Sequence, residues 1–330
     1  MSTIKDVAKL ANVSVGTVSK ILNNDSTVKV RNREAVLKAI NALEYSPNVH
    51  ARHLSTGKTK MISVILPTIG YEFQGRLINS IDSILSKYGF DSILFSLLSR
   101  DRLKRFSDPS HYLYHTDGLL VTSLSLSKMF FSNSLPTNKP YIMVDTFDDR
   151  NDCVHIDNYV GGKMVAQHLE IRNESSIFIL GGFESDEMFS SHVFKDRIAG
   201  FIDGIKEKGI DISKVKHIPE LLDWSKAYDV GVKIAKQVKR HFSVFSVSDI
   251  LAWGFMSGCE SAGKKVRENF SMIGYDDLNF TEKVGISTIH QPIEELGKIA
   301  AEKLATKILN GTHERVYVKI TPTYIERSTN

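Results

Sequence analysis

From Met61 onward, short apolar runs alternate with helical stretches, and this alternation constrains the fold more than any other feature. The runs are Met61–Leu66, Asp91–Leu97, Gly118–Val121, Tyr141–Val144, Ile177–Leu180, Val244–Val247, Ser271–Gly274 and Ile286–Ile289. Between many of them, Gln74–Lys87, Tyr159–Glu170, Ala199–Lys208, Ala227–Arg240 and Ile293–Leu309 read as helices. A repeated strand–helix order predicts doubly wound parallel sheets. A stretch of about 270 residues exceeds what one such core holds, so two lobes are expected. Ligands in these sheets bind at the carboxyl ends of strands, and two lobes can close on one by a hinge.

The first sixty residues follow a different rule. Ile4, Val7 and Ala8 recur at helical spacing, and Leu10 and Ala11 extend that apolar face. Thr3 is placed to cap this helix, with Asp6 three residues on. Asn12 suits a turn that needs positive φ. Ser14 then caps a second helix. Its Val18, Ile21 and Leu22 face inward, whereas Val15, Gly16, Ser19 and Lys20 face outward. A third helix, Arg31 to Leu43, offers Ala35, Val36, Ala39, Ile40 and Leu43 to complete a mini-core. Two short helices joined by a tight turn form a helix-turn-helix, whose second helix enters the DNA major groove.

Charge points to the same partner. Residues 1–60 hold ten Lys/Arg against four acids, whereas the remainder holds 32 against 34. A basic head on a near-neutral body fits a nucleic-acid binder carrying a separate sensing or catalytic domain. The two cysteines, Cys153 and Cys259, form no zinc pattern and read as buried small hydrophobes. No signal-like stretch or membrane-length apolar run is present, so a cytoplasmic protein without membrane contact is expected. Between head and body, Tyr45 to Thr59 contains Pro47, which can start a short helix, and Ser55, Thr56 and Gly57, which end it. A helix of about eight residues is unstable alone and orders only on DNA or against a partner.

The segments TIKDVAKLANVSVGTVSKILN, PNVHARHLS, DRIAGF (196–201), SMIGYDD (271–277) and ISTIHQP (286–292), in this order, closely resemble the lactose-repressor (LacI/GalR) family of bacterial transcription regulators. The resemblance runs essentially end to end. It implies a small all-α helix-turn-helix head (1–46), a hinge helix and linker (47–60) and a two-lobed α/β sensor domain (61–330). The sensor would be periplasmic-binding-protein-like, with parallel sheets. Its N-lobe is expected at about 61–160 and 290–320, and its C-lobe at about 161–289 and 321–330, with three crossovers. The resemblance also implies a homodimer on a near-palindromic double-stranded DNA operator. The family tetramerisation tail of leucine heptads is not seen after Tyr324, and dimer contacts are expected from N-lobe helices such as Gln74–Lys87.

At the DNA, Val15, Gly16 and Lys20 match the family's base-reading positions. Lys20 stands where Arg is usual, which exchanges a bidentate fork for a mobile point charge and costs about 1 kcal/mol of base discrimination. Ser14, Thr17, Ser19, Asn23, Lys29, Asn32 and Arg33 match phosphate-holding positions. Leu54 matches the hinge leucine that wedges into the minor groove beside Ala51 and Arg52. His50, Arg52 and His53 are expected to add phosphate contacts.

In the sensor cleft, Asp145, Asp249 and Asp276 end or closely follow apolar runs, where carboxylates point at a ligand. Carboxylates and Arg bond hydroxyl pairs in fixed geometry. The resemblance places Arg197 and Asp276 at the most consistent effector positions, and Asp145, Ser248 and Trp224 at others. Ser248 replaces the usual Asn. Trp224 offers a face for a pyranose, Phe73 is expected to line the opposite side, and Gln291 lies near a lobe crossover. The same groups also suit lobe-bridging salt links or helix caps.

The expected function is a repressor released by a small carbohydrate through linkage between effector and operator. One alternative is co-repression by a purine, which Trp224 could also stack. Another is control by a phosphorylated carrier protein, which Glu294 and Glu302 disfavour because acids repel a phosphate. No P-loop, nucleophile elbow or metal-ligand spacing is present, so neither an enzyme nor a cofactor is expected. A sugar-transport receptor does not fit a DNA-binding head.

Overall fold

The computed structural model describes residues 2–22, 25–46, 58–97, 99–126, 134–172, 175–182, 192–219 and 223–330. The chain forms two compact units, Met1–Thr59 and Lys60–Asn330.

In the first unit, α1 (Ile4–Leu10), α2 (Val15–Leu22) and α3 (Val30–Ala42) enclose Val7, Ala8, Val18, Ile21, Val36 and Ala39. Thr3 and Asp6 form a reciprocal capping box, with the Thr3 N–H donating to Asp6 Oδ2 at 2.9 Å. Asn12 adopts φ 51° in the turn, and Ser14 Oγ accepts the Thr17 N–H at 3.1 Å. Leu10 corrects one expectation. It is 55 % exposed, because at 100° per residue it falls about 110° from the Ile4–Val7–Ala8–Ala11 stripe.

The second unit begins with β1 (Met61–Leu66), α4 (Glu72–Lys87), β2 (Asp91–Ser96), α5 (Arg100–Phe106), β3 (Gly118–Thr122), β4 (Tyr141–Val144) and β5 (Cys153–Ile156). It continues with α6 (Asn158–His168), β6 (Ser176–Leu180), α7 (Val193–Glu207), β7 (Val215–Ile218), α8 (Trp224–Gln237), β8 (Phe242–Ser246) and α9 (Asp249–Ser261). It ends with β9 (Phe270–Asp276), α10 (Thr281–Val284), β10 (Ser287–His290), α11 (Ile293–Asn310), β11 (Tyr317–Ile320) and β12 (Thr323–Ile325).

Two six-stranded sheets result, in the orders β11-β5-β4-β3-β1-β2 and β12-β10-β9-β8-β6-β7. Every neighbouring pair is parallel except β10 with β12. The first sheet packs α4 and α11 over Ile62, Val64, Leu120 and Ile142, defining an N-lobe. The second packs α6 to α9 around Phe201, Phe245, Phe255 and Phe270, defining a C-lobe. The chain crosses between the sheets near Asp157, at Gln291–Pro292 and at Thr321–Pro322.

Strand order reverses beside β1 in one sheet and beside β6 in the other. Such switch points open a crevice at the carboxyl ends of strands. Among the described residues no helix is long and apolar enough to cross a membrane.

Candidate effector cleft and DNA-reading helix

Four non-glycine residues at carboxyl ends of strands take positive φ: Ser123 (50°), Asp145 (57°), Asp276 (116°) and Asp277 (56°). Such conformations cost of order 1–3 kcal/mol each and concentrate at functional sites. Here they turn side chains out of the sheets at the end of β3, β4 and β9.

Arg197, on α7, is 3 % exposed. Its Nε donates to Asn158 Oδ1 at 2.8 Å, and its Nη1 donates to the Val247 carbonyl at 2.6 Å and to Asp276 Oδ1 at 3.1 Å. The guanidinium also lies 3.8 Å from the centre of the Tyr275 ring. Close packing of α6 on α7 sets this position. A Cβ on Gly200 would fall 1.9 Å from the Tyr159 carbonyl oxygen, and one on Gly162 would fall 2.0 Å from that of Arg197. Only glycine permits that approach.

Asp276 Oδ1 also accepts the Gln291 Nε2–H at 2.6 Å. Burial pushes its carboxyl above the ordinary carboxylate range, although Arg197 and Gln291 pull the other way. Asp145 Oδ2 accepts the Ser123 hydroxyl at 2.7 Å. Burial pushes Asp145 up to about 7, against the pull of Ser123 and Arg197. Asp145 Oδ1, Gln291 Oε1 and the Tyr275 hydroxyl are buried without a partner. Each unpaired buried group costs about 1–3 kcal/mol, so together they call for hydrogen-bonding groups from elsewhere.

Asp249 is placed differently. Its Oδ1 accepts the Thr288 hydroxyl at 2.7 Å, and its Oδ2 accepts the Leu278 N–H at 3.1 Å. Both oxygens are occupied within the C-lobe, where burial and the nearby Asp276 raise its carboxyl well above the usual range. Ser248 is half-buried at the N-cap of α9, without a side-chain capping bond. Trp224 opens α8 and stacks on Tyr228 at 5.3 Å. It meets Trp253 edge-on at 5.9 Å, and Trp253 lies 5.0 Å from Phe280. The Trp224 Nε1–H is buried and unpartnered. Phe73, in the first turn of α4, packs against the N-lobe core.

Asn158, Ser123, Tyr275 and Trp253 were not among the residues expected from sequence. Tyr275 precedes Asp276 directly, so its strand context was visible. Nothing local marks Asn158 or Ser123, which join only through partners 39 and 22 residues away.

On the head, Val15, Gly16, Ser19 and Lys20 are exposed together on α2, while Val18 and Ile21 are buried beneath them. Ser14 Oγ lies 2.9 Å from Thr17 Oγ1. Lys29 is exposed at the start of α3, with Asn32 and Arg33 half-buried beside it. Arg33 Nη2 donates to the Asp25 carbonyl at 2.7 Å. Asn23, Ala51, Arg52 and Leu54, with His50 and His53, lie outside the described residues.

The family model for "Bacterial regulatory proteins, lacI family" matches residues 3–48, and that for the "Periplasmic binding protein-like domain" matches residues 166–330. The chain belongs to the LacI family of bacterial regulatory proteins. As a LacI-family protein it is a DNA-binding transcriptional repressor. It is 29 % identical to the HTH-type transcriptional repressor PurR of Vibrio parahaemolyticus, covering 100 % of this chain and 98 % of the relative. Its fold resembles that of the lac repressor dimer bound to operator and the anti-inducer ONPF, with TM-score 0.82 and 20 % identity over 99 % of this chain and 98 % of that one. It also resembles the transcriptional regulator CelR–cellobiose complex, with TM-score 0.68 and 24 % identity over 100 % of both chains.

Proposed function

We propose that a small neutral carbohydrate binds in the cleft and releases this LacI-family repressor from a near-palindromic operator. The observation that carries this reading is the buried set of Asp145 Oδ1, Gln291 Oε1 and the Tyr275 hydroxyl, none with a protein partner, around the Arg197–Asp276 pair. Sugar hydroxyls donate and accept at once, so they suit two empty acceptors and a phenol. Among the described residues Arg197 is the one buried guanidinium, and Asp276 and Asn158 already engage it, so it offers little to the charge of a sugar phosphate. The half-buried Trp224 supplies an apolar face for a pyranose, and Asp249 acts by holding Leu278 after β9 and Thr288 in β10.

In this reading Val15, Gly16 and Lys20 reach base edges. Ser14, Thr17, Ser19, Asn23, Lys29, Asn32 and Arg33 hold phosphates, and Leu54 wedges the minor groove beside Ala51 and Arg52. The protein works as a homodimer in the bacterial cytoplasm, on the nucleoid when bound. Effector and operator favour different lobe arrangements, so each weakens the other by the same factor, typically about 1–3 kcal/mol.

A second reading follows from the PurR relatives, which are 27–29 % identical. There a purine stacks on Trp224 and strengthens operator binding. The deciding experiment is a thermal-shift screen of the full chain against neutral sugars, sugar phosphates and purines, followed by operator titration with each binder. A stabilising sugar that weakens operator binding supports induction. A stabilising purine that tightens it replaces this reading by co-repression.

A further inference from the structure

The two lobes are also joined by groups that lie outside the ligand-facing set. Glu72 and Arg76 stand one turn apart near the start of α4, in the N-lobe. Glu72 Oε1 accepts the backbone N–H of Asn279 at 2.7 Å. Arg76 Nη1 donates to the backbone carbonyl of Asp277 at 3.0 Å. Asp277 and Asn279 follow β9 of the C-lobe, directly after the cleft carboxylate Asp276.

Arg76 is held in turn. Its Nε and Nη2 grip the two oxygens of Glu294 at 2.7 and 2.9 Å. Glu294 lies in the first turn of α11, three residues beyond Gln291, which itself bonds Asp276. Asp277 is fixed from the other side, where its carboxylate accepts Arg327 Nη2 at 2.7 Å and pairs with His290 Nδ1 at 2.8 Å.

An exposed ion pair has little mechanical consequence. This arrangement differs in two respects. The Arg76–carboxylate contact is bidentate, which fixes the orientation of the guanidinium. The two lobe-spanning bonds end on backbone groups, so they hold the chain itself rather than the tip of a mobile side chain. Asp277, the residue Arg76 holds, takes φ 56° beside Asp276 at 116°, a pair of conformations that persist only where the surroundings impose them.

We propose that Glu72 and Arg76 are positioning residues that strap the Asp277–Asn279 segment to α4 and thereby set where Asp276 stands relative to the N-lobe. Displacement of Asp276 is then delivered to α4 through a contiguous set of bonds as well as through the crossovers. The consequence for ligand affinity rests on the reading of Asp276 as an effector residue; the strap itself does not.

The test is hydrogen exchange on the ligand-free full chain and its Glu72→Ala, Arg76→Met and Arg76→Lys variants. Exchange at the Asn279 amide is expected to rise at least tenfold in Glu72→Ala and Arg76→Met and less in Arg76→Lys. Amides of β3 and β8 should stay at native protection, which shows that the fold is intact. Asn279 exchange within twofold of native in both Glu72→Ala and Arg76→Met overturns the strap. A neutral sugar that binds the native chain should bind Arg76→Met at least fivefold more weakly; affinity within twofold overturns the control of Asp276. If no sugar binds the native chain while exchange rises as expected, the strap stands and the carbohydrate reading falls.

Discussion

Arg197 Nη1 and Asp276 Oδ1 meet at 3.1 Å with Arg197 3 % and Asp276 8 % exposed. Their bond joins α7 to the end of β9, two elements 79 residues apart. Burial raises the Asp276 carboxyl even though Arg197 and Gln291 pull it down.

Arg197→Ala removes donors from Asp276, Asn158 Oδ1 and the Val247 carbonyl together. It should destabilise the second unit by about 3 kcal/mol and abolish effector response. The head, folded on its own core, should keep operator affinity within a few-fold. Denaturant unfolding and operator titration check this. Collapse of operator binding at a temperature where the variant is folded would assign Arg197 a role in the whole fold.

Asp145 gives a pH dependence of unusual sign. Its carboxyl titrates near 7 in the folded chain and near 3.8 when exposed. Between those values the folded state binds more protons, so the Asp145 contribution to stability is complete below about pH 3.8 and is lost as pH rises toward 7. Asp145→Asn should therefore raise stability at pH 7.5 by on the order of 3 kcal/mol, have little effect near pH 4, and weaken sugar binding. Melting curves at both pH values, with and without ligand, measure it.

The α6–α7 contact predicts a remote route to the same site. Gly200→Ala places a methyl 1.9 Å from the Tyr159 carbonyl oxygen, so the helices must part. A cost of about 1–3 kcal/mol is expected, together with weaker effector binding, because Arg197 rides on α7. Gly209→Ala has open space and tests only the strain of its positive φ, so it should leave effector affinity unchanged.

On the head, Lys20→Ala and Lys29→Ala should differ in kind. Lys20 is exposed on the outward face of α2 beside the exposed Ser19, with Val18 and Ile21 buried beneath. Its loss should relax preference at one base pair by about 1–3 kcal/mol. Loss of Lys29 should weaken all sequences alike and reduce the salt slope of binding by about 1. Titrations at several salt concentrations on matched and mismatched operators separate the two.

Much of this was legible from local pattern. The capping box at Thr3 and Asp6, the turn at Asn12 and the inward faces of α2 follow from residue type and a period of 3.6. The strands β1 and β4 match their apolar runs residue for residue. Other elements gave no contrast to detect. Helix α9 is buried on nearly every side between α8 and the sheet, so it has no polar face. β5 carries His155 in its middle, and the edge strand β11 alternates exposed and half-buried positions.

The sequence by itself determined that a basic three-helix head precedes a doubly wound α/β body and that carboxylates stand at strand ends. Those features are set within a few residues by periodicity, caps and charge. Only the tertiary structure decided which carboxylate is available. Asp249 has both oxygens taken by Thr288 and Leu278, whereas Asp145 keeps one buried oxygen without a partner. Asp145, Asp249 and Asp276 sit in similar local sequence, but their partners Ser123, Thr288 and Arg197 stand 22, 39 and 79 residues away, and a hydrogen bond depends on which groups the packed lobes bring within about 3 Å.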